Sequence, residues 1–185
     1  MTHHDDSFDD VDALLLLASV DPIAPPPAMK QALLAAIAGP WYAPFTRRVA
    51  ELCEISQDKA KEILAAVDDA ARWMIGPAAG TEAFHIDAGP SLEGAIVGFI
   101  RIAPGAVFPD HAHVGAEDVY VLDGGFVVDD GNGSSLTVRA GEEHPMAAGS
   151  RHEVRALAEG CLYLGVVRDG LDFGEGAVGP DDPRV

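Results

Sequence analysis

Basic residues are scarce in this 185-residue chain: twelve Lys and Arg stand against thirty Asp and Glu, a formal charge of −18 with a pI near 4.4. Nucleic-acid binders draw most of their affinity from Lys and Arg on phosphate, so direct nucleic-acid binding is not expected. Long apolar runs are also missing. None approaches the roughly 18–20 residues that cross a bilayer, so no membrane span is expected. The best run, residues 14–20, follows a cluster of aspartates rather than a basic segment, which argues against a secretory signal. Cysteine is nearly absent. Cys53 and Cys161 form neither a CxxC motif nor a disulfide framework, and the expected compartment is a reducing cytoplasm. No internal repeat of fixed period is present. What the chain does have is 48% hydrophobic residues, enough for a real core, and seven histidines in a strongly acidic background.

Composition changes near Gly76-Pro77. Before it, apolar residues recur at helical spacing; after it, short β-branched runs alternate with turn residues. Ser7 with Asp9 and Asp10 starts a first helix through Leu14 to Leu17. Pro25-Pro26-Pro27 opens a second, with Met29, Leu33 and Ile37 as its apolar stripe. Phe45, Val49, Leu52 and Cys53 mark a third, and Ser56 caps a fourth carrying Ile63, Leu64 and Val67. Helices this short must pack on one another or on the second half of the chain. Strands are expected at residues 82–87, 95–103, 118–122, 126–129, 136–139, 153–157 and 162–168. Gly- and Pro-rich turns separate them, among them Gly124-Gly125 and residues 130–133. Such regular spacing argues for a sandwich or barrel rather than a parallel α/β sheet. The expected organisation is a helical N-terminal arm over 1–75, a barrel over 76–170 and a loose tail over 171–185.

The histidines that stand out are His111 and His113, followed by Glu117 and, beyond a second turn at Ala148-Gly149-Ser150, His152. Residues two apart on a strand project to one face, so His111 and His113 can share a pocket. Gly115 permits the bend that returns Glu117 to the same point. Imidazoles with a carboxylate suit borderline divalent metals such as zinc, iron, manganese, nickel or copper. An HxH pair alone is also compatible with a hydrogen-bonded pair and no metal. Glu117, the flanking glycines and the second turn-and-histidine segment move the reading to a metal site.

From Gly105 to Gly124 the chain resembles the first cupin motif, G-x5-H-x-H-x3-E-x6-G, at every defined position. The second motif, G-x5-P-x-G-x2-H-x3-N, is met by Gly141, Gly149 and His152, with Ala147 in place of its proline and Ala156 in place of its asparagine. The resemblance implies a mainly β double-stranded β-helix, the cupin jelly roll, preceded by short α-helices. It also implies one divalent metal held by His111, His113, Glu117 and His152, with zinc the first expectation and iron, manganese or nickel the others. Residues 45–52, 67–73, Gly89-Pro90, 98–101, 111–117 and 148–152 narrow the likeness to the ChrR-like cupins, in which the cupin is the sensor half of a zinc-binding anti-sigma factor. Residues 25–37 look like the last helix of such an anti-sigma module. The N-terminal H-x3-C-x2-C zinc motif of that family is absent, since no cysteine precedes Cys53.

The functional expectation is therefore a regulatory or sensory cupin of the anti-sigma type, responding to a small ligand or an oxidant in the barrel. The alternative is a small metal-dependent enzyme such as a dioxygenase; no catalytic residue is assigned. Asp5, Asp6, Asp9, Asp10 and Asp12 would make the arm a docking segment for a sigma factor or another basic protein, or simply a solvated tail. Rims of jelly rolls expose edges, so a homodimer is expected. Tyr120, His144 and Tyr163 are candidates to line the pocket, although packing explains the tyrosines equally well. Residues 47–64 imitate a helix–turn–helix, but Asp58 and Glu62 would face phosphate, so two packed amphipathic helices are the expectation. Cys161 is expected to act as a small buried hydrophobe.

Overall fold

The computed structural model describes residues 39–129 and 135–182, together with Met29. The first two expected helices, the acidic arm and the turn at 130–133 lie outside the described residues. Contacts divide the chain at Gly39/Pro40, and the helices and strands of the described fold belong to the second unit.

Two helices open it, α1 (Thr46–Cys53) and α2 (Gln57–Ala65). Ser56 caps α2 as its sequence suggests, its hydroxyl accepting the Lys59 N–H at 3.1 Å. At the end of α1, Glu54 turns into the left-handed region (φ 56°), and the Cys53 carbonyl accepts the Gly89 N–H at 2.8 Å. A Cβ at Gly89 would stand 2.6 Å from the Glu54 carbonyl oxygen, so only glycine lets this loop approach the helix so closely.

Among its described residues the unit has ten strands: β1 (Met74–Ile75), β2 (Thr81–His85), β3 (Ile96–Ile102), β4 (Val107–His113), β5 (Glu117–Asp129), β6 (Ser135–Arg139), β7 (Glu143–Met146), β8 (Arg151–Val167), β9 (Leu171–Asp172) and β10 (Ala177–Val178). All pairs are antiparallel, in the order β1-β2-β3-β8-β4-β9-β10, with β5 joining β6, β7 and β8. The long strands β5 and β8 pair along most of their length, and each serves both halves of a curled sheet. β8 meets β4 through Arg151–Arg155 and β3 through Cys161–Val167.

The sequence reads β5 and β8 as two strands each, because glycines interrupt their apolar runs. In the structure those glycines are bends rather than chain reversals. Gly124 (φ 61°) and Gly160 (φ 85°) face each other where the β5/β8 register shifts. A Cβ at Gly124 would sit 2.1 Å from the Gly160 oxygen. Paired bulges with glycine at positive φ let both strands fold from one half of the sheet into the other without breaking the ladder.

Residues 171–178 correct the expectation of a loose tail. Leu171 and Asp172 pair with His113 and Ala112, and Val178 returns antiparallel to Leu171. Leu171 and Val178 are both buried in the interior cluster, so two apolar side chains anchor a segment whose composition otherwise suggests a free end.

Alternation along β3, β5 and β8 divides the core in two. Val97, Phe99, Tyr120, Leu122, Leu162, Leu164 and Val166 point to the helices, where they meet Val49, Cys53, Leu64 and Val67. Ile96, Ile102, Val119, Val121, Cys161, Tyr163 and Val167 point into the barrel with Phe108, Phe126 and Val154. A strand covered on both faces needs apolar residues throughout, which explains why 161–167 is a continuous hydrophobic run.

Candidate metal centre

Six polar or charged side chains are buried among the described residues: Thr46, Thr81, His111, His113, Glu117 and His152. The two threonines hydrogen-bond to backbone carbonyls, of Tyr42 and Ala78. The other four are the residues singled out by the motif, and they occur in one neighbourhood.

A bulge in β4 makes this neighbourhood. Phe108 pairs with Val154 and His111 with His152, so β4 spends one residue more than β8 across that interval. The extra residue at Pro109-Asp110 reverses the parity of the strand. Phe108 and the two histidines can then all face inward, although three and five residues separate them. Proline tolerates such a position because a bulged residue need not donate to the ladder. The Pro109 carbonyl also accepts the His111 Nδ1–H at 2.7 Å, leaving Nε2 with its lone pair. His152 arrives from the cross-strand partner position, and Gly115 brings the chain close enough to β8 for Glu117 to start β5 pointing inward. A Cβ at Gly115 would clash with the Arg168 oxygen at 2.3 Å.

The three imidazole rings lie 4.6–4.9 Å apart between centroids. One nitrogen from each of His111, His113 and His152 falls within 4.8 Å of the others, so these three buried histidines could hold a metal ion. His113 Nε2 and His152 Nε2 are 3.3 Å apart. Two nitrogens each about 2.1 Å from one ion stand roughly 3.0–3.4 Å apart for angles between square and tetrahedral, so the pair has ligand-to-ligand spacing. Glu117 lies beside the cluster, with Oε2 3.4 Å from His113 Nδ1. That separation is too long for a good hydrogen bond, and His113 Nδ1 is buried without a partner.

The electrostatics fit a cation better than an empty core. Burial and the neighbouring His111 lower the His113 pKa to about 4, and burial with the other imidazoles lowers His152 to about 3. Burial also lowers His111, against the Pro109 hydrogen bond. All three are therefore neutral at pH 7, the protonation state a metal requires. Burial, with Asp118 nearby, pushes Glu117 up to about 8. A buried carboxyl is costly to ionise, and a divalent ion nearby would offset that cost. Three neutral imidazole nitrogens at this spacing suit zinc and its first-row neighbours.

Of the three pocket candidates, Tyr163 faces the interior. It lines an interior cavity of about 40 Å³ together with His111, Glu117 and Phe108. Tyr120 does not. It projects from the opposite face of β5 into the helix-side core, 6.0 Å edge-to-face from Phe45, because it is an odd number of positions from Glu117. His144 lines an open groove with Met146, Ser150 and His152, which shares no lining residue with the interior cavity. Sequence reasoning missed Phe173, whose ring lies 5.7 Å from His111 and 6.1 Å from Phe108. Its Gly- and Asp-rich surroundings carry no strand signal. It also missed the cross-strand pair Gly98 and Gly165 on the cavity wall: a Cβ at Gly165 would stand 3.0 Å from Glu117 Oε1, and one at Gly98 would meet the Phe84 carbonyl oxygen at 2.6 Å. Cys161 is buried in the interior cluster, and burial raises its thiol to about 12, so it behaves as a small hydrophobe.

A curled antiparallel β-barrel enclosing buried histidines at ligand spacing defines a cupin with a candidate metal centre. The chain belongs to the ChrR Cupin-like domain family, which matches residues 61–167, more than half its length. Among solved structures it is similar to Rhodobacter sphaeroides SigE in complex with the anti-sigma ChrR, at 21% identity and a TM-score of 0.50, covering 85% of this chain and 76% of that one. It is also similar to an acetylacetone dioxygenase from Acinetobacter johnsonii, at 17% identity and a TM-score of 0.51, covering 60% of this chain and 81% of that one. No curated protein matches the chain. No helix among the described residues is long and apolar enough to cross a membrane.

Proposed function

We propose that this chain is a metal-binding cupin of sensory or regulatory type. His111, His113, His152 and Glu117 hold one divalent ion, and an event at that ion changes how the protein engages a partner. One observation carries the reading: the histidine cluster lies on the inner side of a sheet whose outer side is covered by helices, so the two share strands β5 and β8. A second link runs through β7. Glu143 is the cross-strand neighbour of Tyr120, and Met146 that of Glu117. Arg48 of α1 donates two hydrogen bonds to Glu143, both 2.6 Å. Side-chain rearrangement at Glu117 therefore has a short path to the helices.

The likeness to ChrR, solved with SigE, supports a sigma factor as the partner. Affinity capture from the host with the full chain should recover a sigma factor, and deleting the gene should change sigma-dependent transcripts. Recovery of none, with unchanged transcripts, refutes the regulatory reading. The second reading is a small metal-dependent enzyme. It is favoured by Tyr163 and Glu117 lining a cavity beside the histidines. Oxygen consumption by the metal-loaded protein over a panel of small substrates tests it.

A further inference from the structure

One stretch of the interior face is open to water. Directly opposite residues of an antiparallel pair lie on the same face of a sheet. His144 and Met146 of β7 stand opposite Val119 and Glu117, and Leu136 of β6 stands opposite Val128. Val119, Val128 and Met146 belong to the interior cluster, so His144 and Leu136 face the same way. Together with His152 they line an open groove of about 670 Å³. Leu136 is 50% exposed there, whereas its partner Val128 is 6% exposed. An interior-facing leucine left half in water is apolar surface that a bound molecule would bury.

The groove and the interior cavity meet the histidine cluster at different residues. His152 lines the groove, and His111 lines the cavity with Glu117. At about 40 Å³ the cavity is only a few times the roughly 10–15 Å³ that one water requires. The groove falls in the range, roughly 300–1,000 Å³, of sites that take a whole small molecule. Two of its polar groups are already engaged. Arg151 is paired with Asp110, and the Ser150 hydroxyl donates to the Ala147 carbonyl at 2.7 Å. Affinity for the polar end of a ligand would therefore come from the divalent ion, whose remaining coordination positions take oxygen donors. The apolar wall of Val128, Leu136 and Met146 would select the rest of the molecule.

We propose that this groove binds a molecule with an oxygen-donor head and an uncharged apolar body, the head on the ion beside His152 and the body against Leu136 and Val128. The inference rests on the proposed metal site, and its test separates the two. Metal content of the full chain is measured first, after reconstitution; a chain that holds none refutes the metal reading and this one with it. Metal-loaded protein is then titrated by calorimetry with acetohydroxamate and benzohydroxamate, which share a metal-binding head and differ in the body. Benzohydroxamate should bind about tenfold more tightly or better. Leu136→Asp, at a half-exposed position, should bring the two probes within about twofold, with metal content and acetohydroxamate affinity unchanged. Ile100→Phe, which fills the interior cavity, should leave the preference intact. In protein that holds its metal, equal binding of the two probes, or binding of neither, overturns the groove proposal alone. So does a preference that survives Leu136→Asp, or one that Ile100→Phe abolishes.

Discussion

The two faces of strands β3, β5 and β8 are made from alternate residues of the same backbone, yet they are built for different ends. Toward the helices stand Val97, Phe99, Tyr120, Leu122, Leu162, Leu164 and Val166. Toward the interior the same strands present Glu117 and Tyr163, with Gly98 and Gly165 on the cavity wall. The helix face fills its space with branched and aromatic side chains, down to an edge-to-face Phe84–Phe99 contact at 5.7 Å. The interior face leaves a void and buries a carboxyl and three imidazoles. Both faces bury a large apolar cluster, but the candidate site lies on the interior one, so the two should respond to perturbation separately.

The largest effect should come from the helix face. Leu164→Ala, at a fully buried site of that face, should cost about 2–5 kcal/mol in denaturant unfolding, while chains that remain folded keep their metal. If metal is lost in proportion, the faces are not separable. Next comes the interior. Chelation should remove about 4 kcal/mol of stability relative to protein held at a thousandfold excess of ion over its dissociation constant. His113→Ala should be insensitive to chelation.

A smaller effect distinguishes the faces by pH. Only above about 7.5 are the three imidazoles almost wholly neutral in both folded and unfolded chains; nearer 6.5 the unfolded histidines still take up protons, so the Glu117 contribution is isolated by comparison with Glu117→Gln. Unfolded, its carboxyl is ionised from its ordinary 4.5 upward; folded and metal-free, burial keeps it protonated up to about 8. The unfolded state then binds fewer protons, and stability falls as pH rises. Compared with Glu117→Gln, in which the histidines titrate alike, metal-free protein should lose about 1.5–2 kcal/mol more between pH 6.5 and 8. Metal-loaded protein should show no such excess loss. Below 6.5 the sign reverses for His113 and His152, which must stay neutral to remain buried, so their contribution is lost as the pH falls toward 4 and 3. The smallest effect is expected at the link between α1 and β7. Arg48 and Glu143 are partly exposed, and a double-mutant cycle should give less than about 1 kcal/mol despite the two-pronged geometry.

The fold was legible where local chemistry decides it. Ser56 announces the start of α2, and the turn-and-strand spacing after Gly76 predicts a barrel. The HxH spacing with Glu117 and His152 points to the residues that cluster. What was not legible depends on contacts distant in sequence. Gly124 reads as a turn because nothing nearby shows Gly160 beside it; only the pairing of β5 with β8 makes it a bend. Tyr120 and Tyr163 look equivalent in sequence. They differ because strand parity sends one to the helices and the other to the cavity. The bulge at Pro109-Asp110 was hidden for the same reason, since an extra residue can be recognised only against the partner strand. Phe173 and the strands at 171–178 depend on two buried anchors in an otherwise polar tail.

The central claim is that the interior face holds a metal through the clustered histidines. It is tested most directly by elemental analysis of protein purified without chelator, wild type beside His111→Ala/His113→Ala. The account predicts about one divalent ion per wild-type chain and none in the variant, with the helix face still folded by near-UV circular dichroism. A variant that retains the same metal at the same stoichiometry would contradict it.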